Sequence, residues 1–379
     1  MSTLAGIGMG LVGIFVPIYL LELGYSLSTV ISWLIVHHLL ILVGAFIAVR
    51  VSNKIGLVRC WYIRIVLVTL LFTGFILLPQ YPTILFALAL ISGLEAAFFW
   101  IPYNVLTVRK TNDTTMGSSL AFISNASSLV GIAVPGVAAL LIVLYGYPVL
   151  FVIALIFILI SILPVLPLKK EKTDFKFDLL EMRTIVLANR KFILPEIFDN
   201  LGQDAQVIWT LFIFITALTV LDIGMLGIFA GIIGMVVTHF TGLLIDTWDK
   251  KAVVRVGAIA TTVMWVVSYV VAVYAPTPLM LYAATVLRGF ALGIFVTAYG
   301  AIMFNRARNA DAQFLVLREI PTILGRVILF VLALVCIAVG QFELIFAIVA
   351  LLSLYFWFNN LDVLIEKPVV PSVNPAPVR

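Results

Sequence analysis

The chain is predicted to be an all-α membrane protein: twelve transmembrane helices in two pseudo-symmetric six-helix bundles. Three observations predict this. Of its residues 63% are hydrophobic and 11% charged, against about 45–50% apolar in soluble chains. The apolar residues gather into twelve runs, each near the roughly 20 residues that cross a bilayer as helix. All but three of the 23 Lys and Arg lie in or beside every second gap between those runs, or in the tail. That alternation is the positive-inside signature of a chain threaded repeatedly through lipid.

In order, the runs are 4–23, 27–49, 61–79, 82–107, 117–144, 147–168, 192–220, 223–246, 253–274, 278–304, 312–340 and 343–359, each bounded to about four residues. Helix is the form that satisfies the backbone inside lipid, and strand alternation is absent. The basic gaps are Arg50–Arg64, Arg109–Lys110, Lys169–Lys191, Lys250–Arg255 and Arg306–Arg308, with Lys367 and Arg379 in the tail. The gaps between hold only the acids Glu22, Asp222 and Glu343, or no charge. Turn signals mark them: Leu23–Gly24–Tyr25, Pro79–Gln80–Tyr81–Pro82, Gly146–Tyr147–Pro148 and Pro276–Thr277–Pro278. Both termini are therefore expected in the cytoplasm, and the cell membrane is the expected location. The first run has no basic leader, so it reads as a span rather than a cleavable signal.

The one long polar stretch, Lys169 to Lys191, carries a short amphipathic helix around Phe177–Leu187 and divides the spans six and six. The expected domains are 1–168, a cytoplasmic linker 169–191, and 192–360. The tail 361–379 is expected to be disordered. The net charge of +5 belongs to membrane boundaries, where anionic lipid attracts it, and points to no nucleic acid. Cys60 and Cys336 lie too far apart in this topology for a disulfide, and no metal or cofactor motif is present. The expected state is a monomer.

The two halves read as a repeat. After the second run stands Val51-Ser-Asn53-Lys54-Ile-Gly56-Leu-Val-Arg59; after the eighth, Gly242-Leu-Leu-Ile-Asp246-Thr-Trp-Asp249-Lys250-Lys251. Asn53 and Asp246 are 193 residues apart, and the same offset carries Glu95 to Arg288. Twelve spans in two sixes, a basic central loop and two copies of this loop motif resemble the major facilitator superfamily. That resemblance implies paired bundles with a substrate site between them. It also implies cytoplasmic gating loops at Asn53, Lys54, Gly56, Gly242, Asp246 and Lys250. The first copy departs from the motif where Asn53 replaces the acid, the second at Thr247 and Asp249. The fifth span keeps the Pro135 of a family antiporter motif but has Val134, Ala138 and Ala139 at its glycine positions.

A charge at bilayer depth costs about 2.5–3.5 kcal/mol on insertion scales, so embedded charges need a partner, water or a task. In the seventh span Glu196, Asp199, Asn200, Gln203 and Asp204 share one helical face, an acidic stripe turned toward an aqueous cavity or a helix end whose acids reach the headgroups. In the eleventh, Arg318, Glu319, Thr322 and Arg326 share an arc and form either a working or a purely structural network with it. Arg288, in the tenth span, is positioned to bind an anionic group or hold Asp204 or Glu95 charged. Glu95, in the fourth, is a candidate proton carrier or a permanently paired structural acid. His37 and His38 in the second span can titrate. The polar line Ser118, Asn125 and Ser128 reads as helix–helix contact, and Trp100, Tyr103 and Asn104 as a narrowing of the cavity's inner end.

The expected function is secondary active transport of a small solute by alternating access, with a proton as coupling ion and the bilayer as the other partner. No nucleotide-binding loop or paired catalytic motif appears, so neither ATP drive nor an enzyme is expected. A receptor or scaffold that kept the fold, or a lipid flippase, is the alternative.

Overall fold

A computed structural model describes residues 2–110, 116–165, 187, 189–216, 218–308, 312–359 and 361–362. Among them every regular element is helical. The α-helices are α1 Ser2–Gly13, α2 Phe15–Glu22, α3 Leu27–Ile55, α4 Leu57–Leu77, α5 Leu85–Lys110, α6 Met116–Tyr145 and α7 Tyr147–Ile160. After the linker come α8 Arg190–Thr216, α9 Val220–Thr247, α10 Lys250–Tyr274, α11 Pro278–Arg308, α12 Ala312–Ala338, α13 Leu344–Ser353 and α14 Tyr355–Phe358. Among the described residues eight segments are long and apolar enough to cross a membrane, and Gly131–Tyr145, Tyr147–Ile160 and Leu344–Phe358 are shorter apolar helices. α8 has the length but carries Glu196, Asp199 and Asp204.

Several boundaries differ from the sequence reading for local reasons. The first run is broken between α1 and α2 because Pro17 has no N–H to offer the Gly13 carbonyl. The last is broken at Leu354. α7 has 14 residues, about 21 Å of helix, and Pro164 follows it. The amphipathic helix expected around Phe177–Leu187 and the tail beyond 362 lie outside the described residues, Leu187 excepted. Helix starts are capped by side chains: Ser26 accepts from the Thr29 N–H at α3. Thr219 and Asp222 form a reciprocal capping box at α9. Gly56, the only residue between α3 and α4, has φ +94°, which only glycine adopts freely.

The packing repeats along the chain. α3 packs on α5 as α9 packs on α11; α4 on α5 as α10 on α11; α1 on α6 as α8 on α12; α4 on α7 as α10 on α13. The first and second halves meet through α6 against α9 and α3 against α12. Glycines make the first of these contacts close. A Cβ on Gly224 would stand 2.9 Å from the Pro135 carbonyl oxygen, and one on Gly231 would stand 2.8 Å from Ile132. The outer surface is apolar: Met225, Phe229, Ile232, Val236, Phe240 and Leu243 form an exposed stripe on α9, a face suited to lipid and not to water.

Among the described residues three buried cores result. The largest joins both halves, from Trp33, Phe75 and Phe151 to Trp209, Trp265 and Phe346. It occupies the end of the molecule where Glu22, Asp222 and Glu343 lie, here called the acidic end. At the opposite, basic end the core formed by the described residues is split. One cluster, with Ala48, Trp61, Phe98 and Val105, belongs to the first half alone. The other, with Ile245, Val253, Tyr299 and Phe356, belongs to the second alone.

Candidate functional site

The embedded charges sort into four groups. The first is inside the first half. Arg64 Nε lies 2.6 Å from Glu95 Oε1, with 3% and 2% of the two side chains exposed. The guanidinium carbon of Arg64 sits 4.2 Å over the Phe99 ring. Arg64, grouped by sequence with the surface bases, is therefore buried. Glu95 does not meet Asp204 or Arg288. Its partner comes from α4, one helix away.

The second group is centred on Glu196, which has no exposed surface. Its Oε1 accepts from Arg318 Nε at 2.6 Å, from Thr322 at 3.2 Å and from Asn200 at 3.3 Å. Its Oε2 accepts from the Tyr299 hydroxyl at 3.1 Å. α8 supplies the carboxylate, α11 the phenol and α12 the guanidinium, so one acid ties three helices. Beside it, Gln203 donates to both oxygens of Asp199, at 2.9 and 2.8 Å. The sequence places Glu196 at the outer end of the acidic stripe, where a carboxylate can reach the headgroups. Nothing in its spacing reveals that Tyr299 and Arg318 close over it.

The third group stands at the seam between the halves. His38 Nε2, from α3, lies 3.2 Å from Asp204 Oδ2 on α8. Arg326 Nε, from α12, lies 3.5 Å from Asp204 Oδ1. His38 Nδ1 lies 2.8 Å from the Leu34 carbonyl oxygen, and the ring of Phe330 packs at 5.3 Å. His37 stacks on Trp33, and its Nδ1 is buried without a partner. The side chains of Asp204, Arg326 and Arg318 are 16%, 28% and 35% exposed, so the acid stripe and the basic arc do converge while remaining reachable. Glu319, partly exposed, makes no hydrogen bond or ion pair among the described residues.

The fourth is Arg288. It is buried on α11 with its guanidinium carbon 5.3 Å from the Trp265 ring and 5.8 Å from the Trp209 ring. Among the described residues no carboxylate reaches it, and Nε has no hydrogen-bond acceptor. Trp209 is held by its indole N–H donating to Thr285 at 2.9 Å.

The residues of the two loop-motif copies occupy the basic end. Gly56 turns the chain between α3 and α4, with Lys54 exposed beside it. Asp249, a departure from the loop motif, caps α10 by accepting from the Lys251 N–H. Lys251 pairs with Asp362, and Lys250 opens the helix. Gly242 has no close neighbour in the space a Cβ would fill. The side chains of Asp246, Ser118, Asn125 and Ser128 lie outside the described residues. Phe99, Trp100 and Tyr103 form a ring cluster on α5, with Trp100 half exposed. Cys60 and Cys336 are free and buried.

The repeated helix pairing, the charged seam and the lipid-suited surface define a multi-pass integral membrane protein with a transporter fold. The chain belongs to the Major Facilitator Superfamily, whose model matches residues 1–222. A D-xylose-proton symporter shares the fold with a TM-score of 0.70 at 13% identity, over 97% of this chain and 98% of that one. The nucleoside transporter NupG does so with a TM-score of 0.66 at 15% identity, again over 97% and 98%. At these identities the likeness speaks to fold alone. No curated protein matches the chain in sequence.

Proposed function

We propose that the protein moves a small solute across the membrane by alternating access, coupled to protons, with the seam between two six-helix bundles as its pathway. The bundles are 1–168 and 192–360, joined by the linker 169–191 and making twelve spans. α1 with α2, and α13 with α14, each count as one span. The single observation that carries the reading is the division of the apolar core among the described residues, fused across the halves at the acidic end and separate at the basic end. That is the form of a carrier closed on one face and parted on the other. Positive-inside logic puts the basic end, and both termini, in the cytoplasm of a cell membrane.

Asp204, Arg318, Glu319 and Arg326 are the reachable charges at the seam, and His37 and His38 face them. A charged or zwitterionic solute suits this set better than a neutral one. Arg288, with its aromatic cage and no carboxylate, is the residue for an anionic group. Asn53, Lys54, Gly56, Gly242, Asp246 and Lys250 gate the basic end. The loop of the first half lacks a charged latch at Asn53.

Proteoliposomes test this with a panel of charged, zwitterionic and neutral solutes under an imposed pH gradient. Solute uptake that collapses with the gradient is expected. Asp204→Asn should lower gradient-driven uptake at least tenfold. No flux of any solute in either direction, from protein shown to be folded, would sink the transporter reading.

A further inference from the structure

We propose that His38 and Asp204 share one exchangeable proton and that this proton fastens the two halves together. The pair is then the coupling-proton site of the transporter proposed above, and the inference rests on that reading. Hydrogen-bond geometry carries it. His38 Nδ1 lies 2.8 Å from the Leu34 carbonyl oxygen, which can only accept, so Nδ1 bears a hydrogen. A neutral ring in that tautomer presents a bare lone pair at Nε2. Nε2 faces Asp204 Oδ2 at 3.2 Å, and an ionised carboxylate is also only an acceptor. Two acceptors at that distance repel. One proton between them, on Nε2 or on Oδ2, makes the contact a charge-assisted or neutral hydrogen bond. The pair therefore loads and releases one proton as a unit. The proton comes from water and returns to it, and only an N–H or O–H bond is made or broken.

The neighbours decide what the proton controls. Arg326 of α12 lies 3.5 Å from the other carboxylate oxygen and stays to balance Asp204 when the proton leaves. What is lost is the bond from α3 to α8, which is a bond between the halves. The remaining charges nearby are otherwise placed. Glu319 lies on the same helix as Arg326. Glu95 on α5 is taken by Arg64 of α4. Arg288 of α11 rests on two tryptophans. His37 is the one other titratable ring, with its centroid 4.9 Å from that of His38. Among the described residues it makes no bond across the seam. The side chains of His38 and Asp204 are 8% and 16% exposed.

The test is a distance across the acidic end. Cysteines replacing Tyr81 and Tyr274, both exposed, take spin labels, while the native Cys60 and Cys336 are buried. Distances are measured in nanodiscs from about pH 5 to pH 8.5, bracketing the histidine range. In otherwise native protein the ratio of short to long distances should fall as pH rises, by up to about tenfold per unit near its midpoint, as one-proton linkage requires. His38→Gln can donate to Asp204 without titrating, so it should lose the pH response and hold the short distance. Asp204→Asn, which can donate permanently to Nε2, should do the same and covers a His38→Gln protein that fails to fold. His37→Gln should keep the response. A response that survives in both His38→Gln and Asp204→Asn, or that vanishes in His37→Gln, overturns the proposal. So does a single fixed distance at every pH in the native background. Solute flux in proteoliposomes alongside any of these results leaves the transporter reading standing, and its absence removes that as well.

Discussion

Arg64 and Glu95 form a pair sealed from water inside the first half. Removing one member leaves the other buried and uncompensated, at a cost of about 3–5 kcal/mol, whereas replacing both by apolar groups of similar size is often neutral. Glu95→Ala should therefore lower the thermal unfolding midpoint sharply in detergent. Arg64→Met combined with Glu95→Leu should recover most of the loss. A single substitution as mild as the double would show the pair to be solvated. Sequence singled out Glu95, Asp204, Arg326 and His38 because each is polar in an apolar run. It could not say which met which. Glu95 and Arg288 hold matching positions in the two halves, yet one pairs with a neighbouring helix and the other rests on tryptophan faces. A repeat preserves position, not partner.

At the scale of the element, α6 and α9 touch because Gly224, Gly227 and Gly231 present no side chain to Ile132, Pro135 and Ala139. Gly224→Val places a side chain where the Pro135 carbonyl oxygen is 2.9 Å from the Cβ. It should part the two helices and raise the long-distance population between labels at positions 81 and 274. Unchanged distances would mean that this contact does not close the acidic end. The cap of α9 is a smaller matter. Thr219→Ala removes the acceptor for the Asp222 N–H and should cost about 1 kcal/mol, readable as faster amide exchange in the first turn. Helix positions were legible from hydropathy alone, since lipid permits little else. The breaks at Ile14 and Leu354 were not. Pro17 marks the first once the backbone hydrogen bonds are counted, but nothing comparable marks the second.

For the whole molecule, the split of the core at the basic end makes a distinct prediction. Labels at Lys54 and Trp248, exposed on the first and second halves at that end, should approach one another under conditions that separate labels at Tyr81 and Tyr274. Opposite changes at the two ends are what rocking about a central site requires. Changes of the same sign would indicate swelling of the whole bundle instead, and no change at either end would indicate a rigid scaffold.

Apolar run length and the alternation of basic and acidic gaps were enough, unaided, to determine that this chain lives in lipid and crosses it repeatedly as helix. Both follow from the cost of exposing backbone and charge to hydrocarbon, which is paid residue by residue along the chain. Tertiary structure decided which charge answers which: Arg64 for Glu95, Tyr299 and Arg318 for Glu196, His38 and Arg326 for Asp204. Those partners lie on other helices, and their distances depend on how helices pack rather than on spacing along any one of them. The closed acidic end was likewise decided there, because glycine contacts between α6 and α9 and ring packing between α3 and α12 arise only once the two halves are brought together.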